Sequence, residues 1–187
     1  MAIFSVSQFL STWSHQRFHI TLNIPNTHNS YNFNEWRQAP NHKLTEQCRF
    51  QLYVDEGKEQ FVQAYIDSQP KVDGEVPEKV NRKAQYFRDI PVHLVVLIPE
   101  DPRQRRFEKD YGAVSSLIQN FQLTAWERGI GMIWRTNDWV YDPVFREGID
   151  VLPGEKVLAT LMIGYPNHTP QAQPIPDIRK LVTIITK

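Results

Sequence analysis

Cysteine is nearly missing from this chain. Cys48 is alone among 187 residues, so no disulfide forms within one copy, and a reducing compartment is the expected setting. Net charge is missing as well. Lysine plus arginine number 21, and so do aspartate plus glutamate, which leaves no global basic field for nucleic acid or an anionic membrane. No apolar run approaches the length that spans a bilayer. No cationic side chain precedes Arg17 and no long apolar core follows it, so the first residues do not read as a secretory signal. There is no internal repeat, no GxSxG elbow and no phosphate loop. These absences lead to the expectation of a soluble, cytoplasmic protein with no membrane or nucleic-acid partner.

What is present is ordinary in bulk. The chain is 41% apolar and 22% charged, as globular proteins are. Its length fits a single domain, residues 1–187, with a proper core. Aromatics at 12%, five of them tryptophan, offer flat surfaces for packing, for partners or for a ring-shaped ligand. Thirteen prolines imply many defined turns and at least one rigid extended segment.

The organising stretch is 107–137. Val114, Leu117, Ile118, Phe121 and Ala125 recur at helical spacing on one side. Gly112, Ala113, Ser115 and Ser116 keep that helix thin enough to lie close to another helix or a flat ligand. Gly129 and Gly131 are expected to end it through left-handed backbone. Met132, Ile133 and Trp134 then read as a strand delivering Arg135, Thr136 and Asn137 to its far end.

Around this stretch the chain reads in order. Helices are expected over 5–14 and 31–38, the second stopped by Pro40. A strand over 50–54 and helices over 58–68 and 77–88 follow, then a strand over 92–98 whose unbroken apolar run predicts burial on both faces. The charged segment 101–110 reads as a connector. Asp142-Pro143 reads as a cap and first turn of a short helix to 147, Pro153-Gly154 as a turn, and 157–165 as a strand. Segment 167–180, with three prolines, is expected to be an extended arm. It ends in LVTIIT, a β-forming hexamer that must pair with its own sheet or with a partner subunit. The mixture of helices and strands without strict alternation predicts an α+β fold, a sheet flanked by helices.

Several chemical signals dissolve on inspection. Gly129-Ile130-Gly131 follows a helix and precedes a strand, the reverse of a dinucleotide fingerprint. His15 and His19 have ligand spacing but no accompanying acid, so no metal site is expected. Cys48 opens an apolar strand and reads as a structural thiol. Glu108 and Asp110 read as a solvated helix start.

Two separated motifs carry a resemblance. Ala39-Pro40-Asn41-His42-Lys43, with Phe50 shortly after, resembles the loop that follows the second helix in nitroreductases, closest to a small bacterial subfamily with an APDH-type loop. The run 127–136, ERGIGMIWRT, is similar to that subfamily's turn into an IWRS strand. Segment 145–166 resembles the next helix and strand, so the likeness covers roughly 30–187. The resemblance implies an α+β homodimer with a mostly antiparallel sheet, one FMN at each subunit interface, NAD(P)H as co-substrate, and a C-terminal arm and strand exchanged between subunits. It also implies cofactor-binding roles for Gln38, His42, Trp134, Arg135 and Thr136, with no protein side chain assigned as catalytic. Arg135 and Thr136 would meet the FMN phosphate.

One departure stands out. Where the family opens with an RRS-type motif, this chain has TWSHQRF, leaving Arg17 to stand in, with His15 and Ser14 nearby. The loop after APNHK has Gln47-Cys48 in place of Pro-Trp. The sequence therefore leaves open an FMN-dependent oxidoreductase acting on a nitroaromatic, quinone or enone acceptor, a drifted flavin-binding or flavin-less scaffold on the same fold, and a generic dimeric interaction domain.

Overall fold

The computed structural model describes residues 48–169, 171 and 177–186. The helices expected over 5–14 and 31–38, and with them Arg17, Gln38 and His42, lie outside the described residues.

Two apolar strands make the centre. β2 (Val92–Pro99) has seven consecutive buried residues, and β4 (Glu155–Gly164) has eight. Only a strand covered on both faces sustains such a run. β1 (Arg49–Val54) flanks β2, and β3 (Gly131–Arg135) flanks β4, giving the order β1-β2-β4-β3 with every pair antiparallel.

One face is covered by α1 (Lys58–Asp67), α2 (Glu78–Asp89) and the short α4 (Pro143–Gly148). Their core is aromatic. Phe61 sits against Tyr53, Phe87, Trp139 and Phe145, and stacks on the His93 imidazole at 4.5 Å between ring centres. Ala64 of α1 lies so close to Gly148 that a Cβ there would come within 2.7 Å of the Ala64 Cβ. Only glycine lets these two helices meet at that distance.

The long α3 (Gln104–Glu127) covers the other face, burying Val114, Ile118, Phe121 and Ala125 against Leu94, Val96, Ile98 and Leu161. Leu117 packs at the margin and Cys48 is half-buried against the same cluster. Among the described residues no helix is long and apolar enough to cross a membrane.

Two expectations need correction. Segment 101–110 is not a connector throughout, because α3 begins at Gln104. Its charged residues are good helix formers that pair one turn apart, as Gln104 does with Glu108 at 2.7 Å. Gly131 does not end the helix. Gly129, at φ +76°, does that alone, while Gly131 is the first residue of β3, where a Cβ would press on Pro166 Cδ at 3.3 Å. Among the described residues the hexamer LVTIIT joins no strand. A 3-10 turn spans Ile178–Leu181, and the residues after it carry no regular structure.

Asp142 caps α4 as its sequence implied, accepting hydrogen bonds from the Val144 amide at 2.8 Å and the Phe145 amide at 3.4 Å. Pro143 supplies the first helical position.

Candidate functional site

β3 is short because two local features bound it. Ile130 donates its amide to the Ala125 carbonyl at 2.9 Å, closing α3 through the Gly129 turn. At the other end, the chain turns into the 3-10 segment Asp138–Tyr141, whose Val140 amide donates to the Asn137 carbonyl at 3.1 Å. Trp139 and Val140 then plunge into the aromatic core. Residues 134–137 are thus pinned at both sides and present a short row of side chains at the sheet edge.

Each member of that row differs in exposure. Trp134 is half-buried and packs on the α3 face of the sheet. Arg135 is exposed, and among the described residues its guanidinium has no hydrogen bond or ion pair. Thr136 is exposed. Asn137 is half-buried, and its Nδ2 is buried without a hydrogen-bond partner. The backbone beneath Arg135 is fixed by Thr160 of β4, 1% exposed, whose hydroxyl donates to the Arg135 carbonyl at 3.0 Å. Arg135 and Thr160 are also direct register partners across β3 and β4.

Several cations of the described chain pair with carboxylates. Arg49 forks onto Glu155, Arg88 onto Glu59, and Arg103 and Arg106 both meet Asp101. The Arg103 guanidinium beside it holds the Asp101 carboxyl far below the usual carboxylate range. Arg135, like Arg105 and Lys109, has no such carboxylate partner among the described residues. A guanidinium, a hydroxyl and an amide thus follow one another along the chain, groups of the kind that hydrogen-bond an oxyanion.

The structure therefore brings Trp134, Arg135 and Thr136 together at one strand end. Arg17, Gln38 and His42 lie outside the described residues. Sequence reasoning did not single out Thr160, whose hydroxyl reaches across 25 residues of chain. A lone polar residue inside an otherwise apolar strand was the available signal. Asn137 was visible as the third polar residue after the strand, but its buried amide was not.

His93 lies on β2 among the aromatic side chains rather than at this site. Its Nε2 is 2.9 Å from the Phe87 carbonyl, which fixes Nε2 as the protonated nitrogen, and burial lowers its pKa to about 4. Lys58 adds to the depression, while its ammonium donates to the Arg88 and Ile90 carbonyls at 2.9 and 3.1 Å. The last carbonyls around the end of α2 are thereby satisfied. No group of three or more His, Cys, Asp or Glu among the described residues is arranged to hold a metal ion.

Comparison with known proteins agrees with this architecture. A solved Bacillus cereus structure described as a nitroreductase-like family protein superimposes with a TM-score of 0.87 at 29% identity, covering 100% of this chain and 99% of the other. A Sphigopyxis sp. strain HMH structure, the FMN- and NADPH-dependent nitroreductase NfnB, shares the fold at TM-score 0.71 and 13% identity, over 98% of this chain and 100% of the other. The Bacillus subtilis (strain 168) protein YfhC, provisionally named an NAD(P)H nitroreductase, is 34% identical over 79% of this chain and 77% of its own length. With the nitroreductase family model matching residues 10–165, on a chain folded as an antiparallel sheet between two helical layers, this protein belongs to the nitroreductase family.

Proposed function

We propose that this protein is an FMN-dependent oxidoreductase that passes electrons from NAD(P)H to a nitroaromatic, quinone or enone-type acceptor. The observation that carries the reading is the guanidinium of Arg135, which has no partner among the described residues and is held at the end of β3 on a backbone that Thr160 clamps. Family membership supports it, as do the NAD(P)H nitroreductase name of the B. subtilis relative and the FMN and NADPH dependence of NfnB.

The residues at the strand end fit the phosphate of FMN. That group carries close to two negative charges, and burying it away from cations would be unfavourable by several kcal/mol, of order ~2 or more. Arg135 supplies the charge and a planar fork, and Thr136 a hydroxyl. Trp134 fixes the strand against α3 so that the fork does not drift. By the family resemblance Gln38 and His42 would add flavin contacts, and Arg17 would stand in for the family's first arginines. A bound FMN supplies the redox chemistry, taking a hydride and releasing electrons to the acceptor.

The protein acts in this reading as a homodimer, with the arm and hexamer reaching to the second copy. Leu181, Val182, Ile184 and Ile185 are 82%, 57%, 81% and 91% exposed. So much β-forming apolar surface at a chain end calls for a partner strand or groove. The single cysteine supports a reducing, cytoplasmic setting.

The test is spectroscopic. Purified protein given excess FMN and desalted should retain oxidised-flavin absorption near one flavin per chain and bleach on addition of NADH or NADPH. Protein that stays colourless after that treatment would move the reading to a flavin-less scaffold.

A further inference from the structure

We propose that the corner where α1, the end of α2 and β2 meet is an acid-sensitive clasp, which loosens those elements on acidification before α3 leaves the other face of the sheet. The clasp does not depend on a bound flavin.

Polar side chains of all these elements build the corner. His93 of β2 donates from Nε2 to the Phe87 carbonyl at 2.9 Å. Lys58, the first residue of α1, donates to the Arg88 and Ile90 carbonyls at 2.9 and 3.1 Å. Arg88 of α2 forks onto Glu59 of α1. The carbonyls around the end of α2 therefore rest on one imidazole and one ammonium. That imidazole is fully buried, stacked on Phe61 and met edge-on by Phe87. Its Nδ1 is buried without a hydrogen-bond partner.

Protonation asks for something this corner does not supply. A charged imidazole donates from both ring nitrogens. Here Nε2 meets an acceptor, but a proton on Nδ1 would be a buried donor carrying a buried charge, with neither compensated. Of the groups that face the ring, α1 gives the Lys58 ammonium, which opposes the charge, and α2 gives the Phe87 carbonyl and ring. β1 gives Tyr53, opposite His93 in the register and neutral because burial pushes its phenol up to about 12, and β4 gives Met162. Glu59 turns to Arg88 instead, whose guanidinium holds its carboxyl below the usual range, so that pair stays charged while His93 takes up a proton. The charged imidazole is accommodated once α1 and the end of α2 part from β2 and water reaches Nδ1. Burial lowers the His93 pKa to about 4, so the opened corner binds the proton more tightly than the closed one. α3 packs on the opposite face through Val114, Ile118, Phe121 and Ala125, none of which titrates.

Hydrogen–deuterium exchange read by mass spectrometry tests this on the full chain, parent beside His93→Gln, at about pH 7 and about pH 4.5. Glutamine keeps a donor for the Phe87 carbonyl and takes up no proton. Comparing two chains at one pH cancels the intrinsic pH dependence of exchange. At about pH 4.5 the amides of 58–67 and 78–92 should exchange roughly tenfold or more faster in the parent, while those of 104–127 differ by less than about twofold. At about pH 7 the parent should show no such excess. If His93→Gln does not fold, the parent's own protection, corrected for intrinsic rates, decides. It should fall on acidification in 58–67 and 78–92 and hold in 104–127. Equal loss across 104–127 would show that the proton enters by unfolding of the whole chain, and would overturn the clasp. Parent and variant exchanging alike at about pH 4.5 would overturn it as well.

Discussion

The hydroxyl of Thr160, buried in the middle of β4, donates to the carbonyl of Arg135 at 3.0 Å, on the residue it already faces in the sheet register. Antiparallel edge pairs carry alternating bonded and non-bonded positions, and the last residue of an edge strand frays readily. A side-chain donor at that point holds the strand end where register bonding runs out. The position of the one cation that the site depends on is therefore set from β4.

This gives a first prediction. Thr160→Val keeps the shape and removes the donor, so it should lower stability by about 1 kcal/mol in urea denaturation. It should also weaken FMN binding a few-fold through a less fixed Arg135, about 3-fold or more. Thr160→Ser should restore most of both. Unchanged denaturation midpoint and unchanged FMN affinity in Thr160→Val would show that the bond positions nothing.

The second prediction concerns pH. The His93 pKa is lowered by burial to about 4, against an ordinary value of 6.5. The unfolded chain then binds a proton that the folded chain refuses, so His93 costs no stability above pH 6.5 and progressively more as pH falls toward 4. The full effect is about 3 kcal/mol. The charged group that faces the imidazole is Lys58, which disfavours protonation further. Carboxylates whose pKa is lowered by arginine partners, Glu59 and Glu155, also lose stability on acidification. The comparison must therefore be with His93→Gln, which retains a donor for the Phe87 carbonyl. Between about pH 7 and about pH 4.5 the parent should lose more stability than His93→Gln. Parallel curves would place the imidazole's titration at its ordinary value.

Much of the fold could be read from the chain because local chemistry and tertiary context agree there. The seven-residue buried run of β2 has only one comfortable placement, and Asp142-Pro143 carries its own cap and first turn. The misreadings fall where local pattern and context separate. Segment 101–110 looks like a connector by charge, yet its residues favour helix once Asp101 has turned the chain by accepting from the Arg103 amide at 2.9 Å. Gly131 has the residue type of a helix stop, but its role is close approach to Pro166. Trp134, Arg135 and Thr136 could be picked out together because they are contiguous at the end of β3. The Thr160 clamp could not, because nothing local encodes a bond between positions 135 and 160.

A third prediction addresses the C-terminal segment. Removing all residues after Tyr165 takes away the exposed apolar side chains of Leu181, Val182, Ile184 and Ile185 together with the arm that carries them. In the dimer reading the truncated chain should be insoluble or monomeric by light scattering, because the partner loses the strand that covers it. A truncated chain that remains dimeric with an unchanged melting temperature would contradict the exchanged arm.

The measurement that bears most directly on the account is FMN titration of Arg135→Ala beside the parent, repeated with riboflavin. A charge-assisted hydrogen bond contributes about 1.5–3 kcal/mol, so FMN binding should weaken by roughly tenfold to a hundredfold. Riboflavin should bind parent and variant alike. Arg135→Ala binding FMN as tightly as the parent would contradict the placement of the phosphate at the end of β3, and with it the reading of this site.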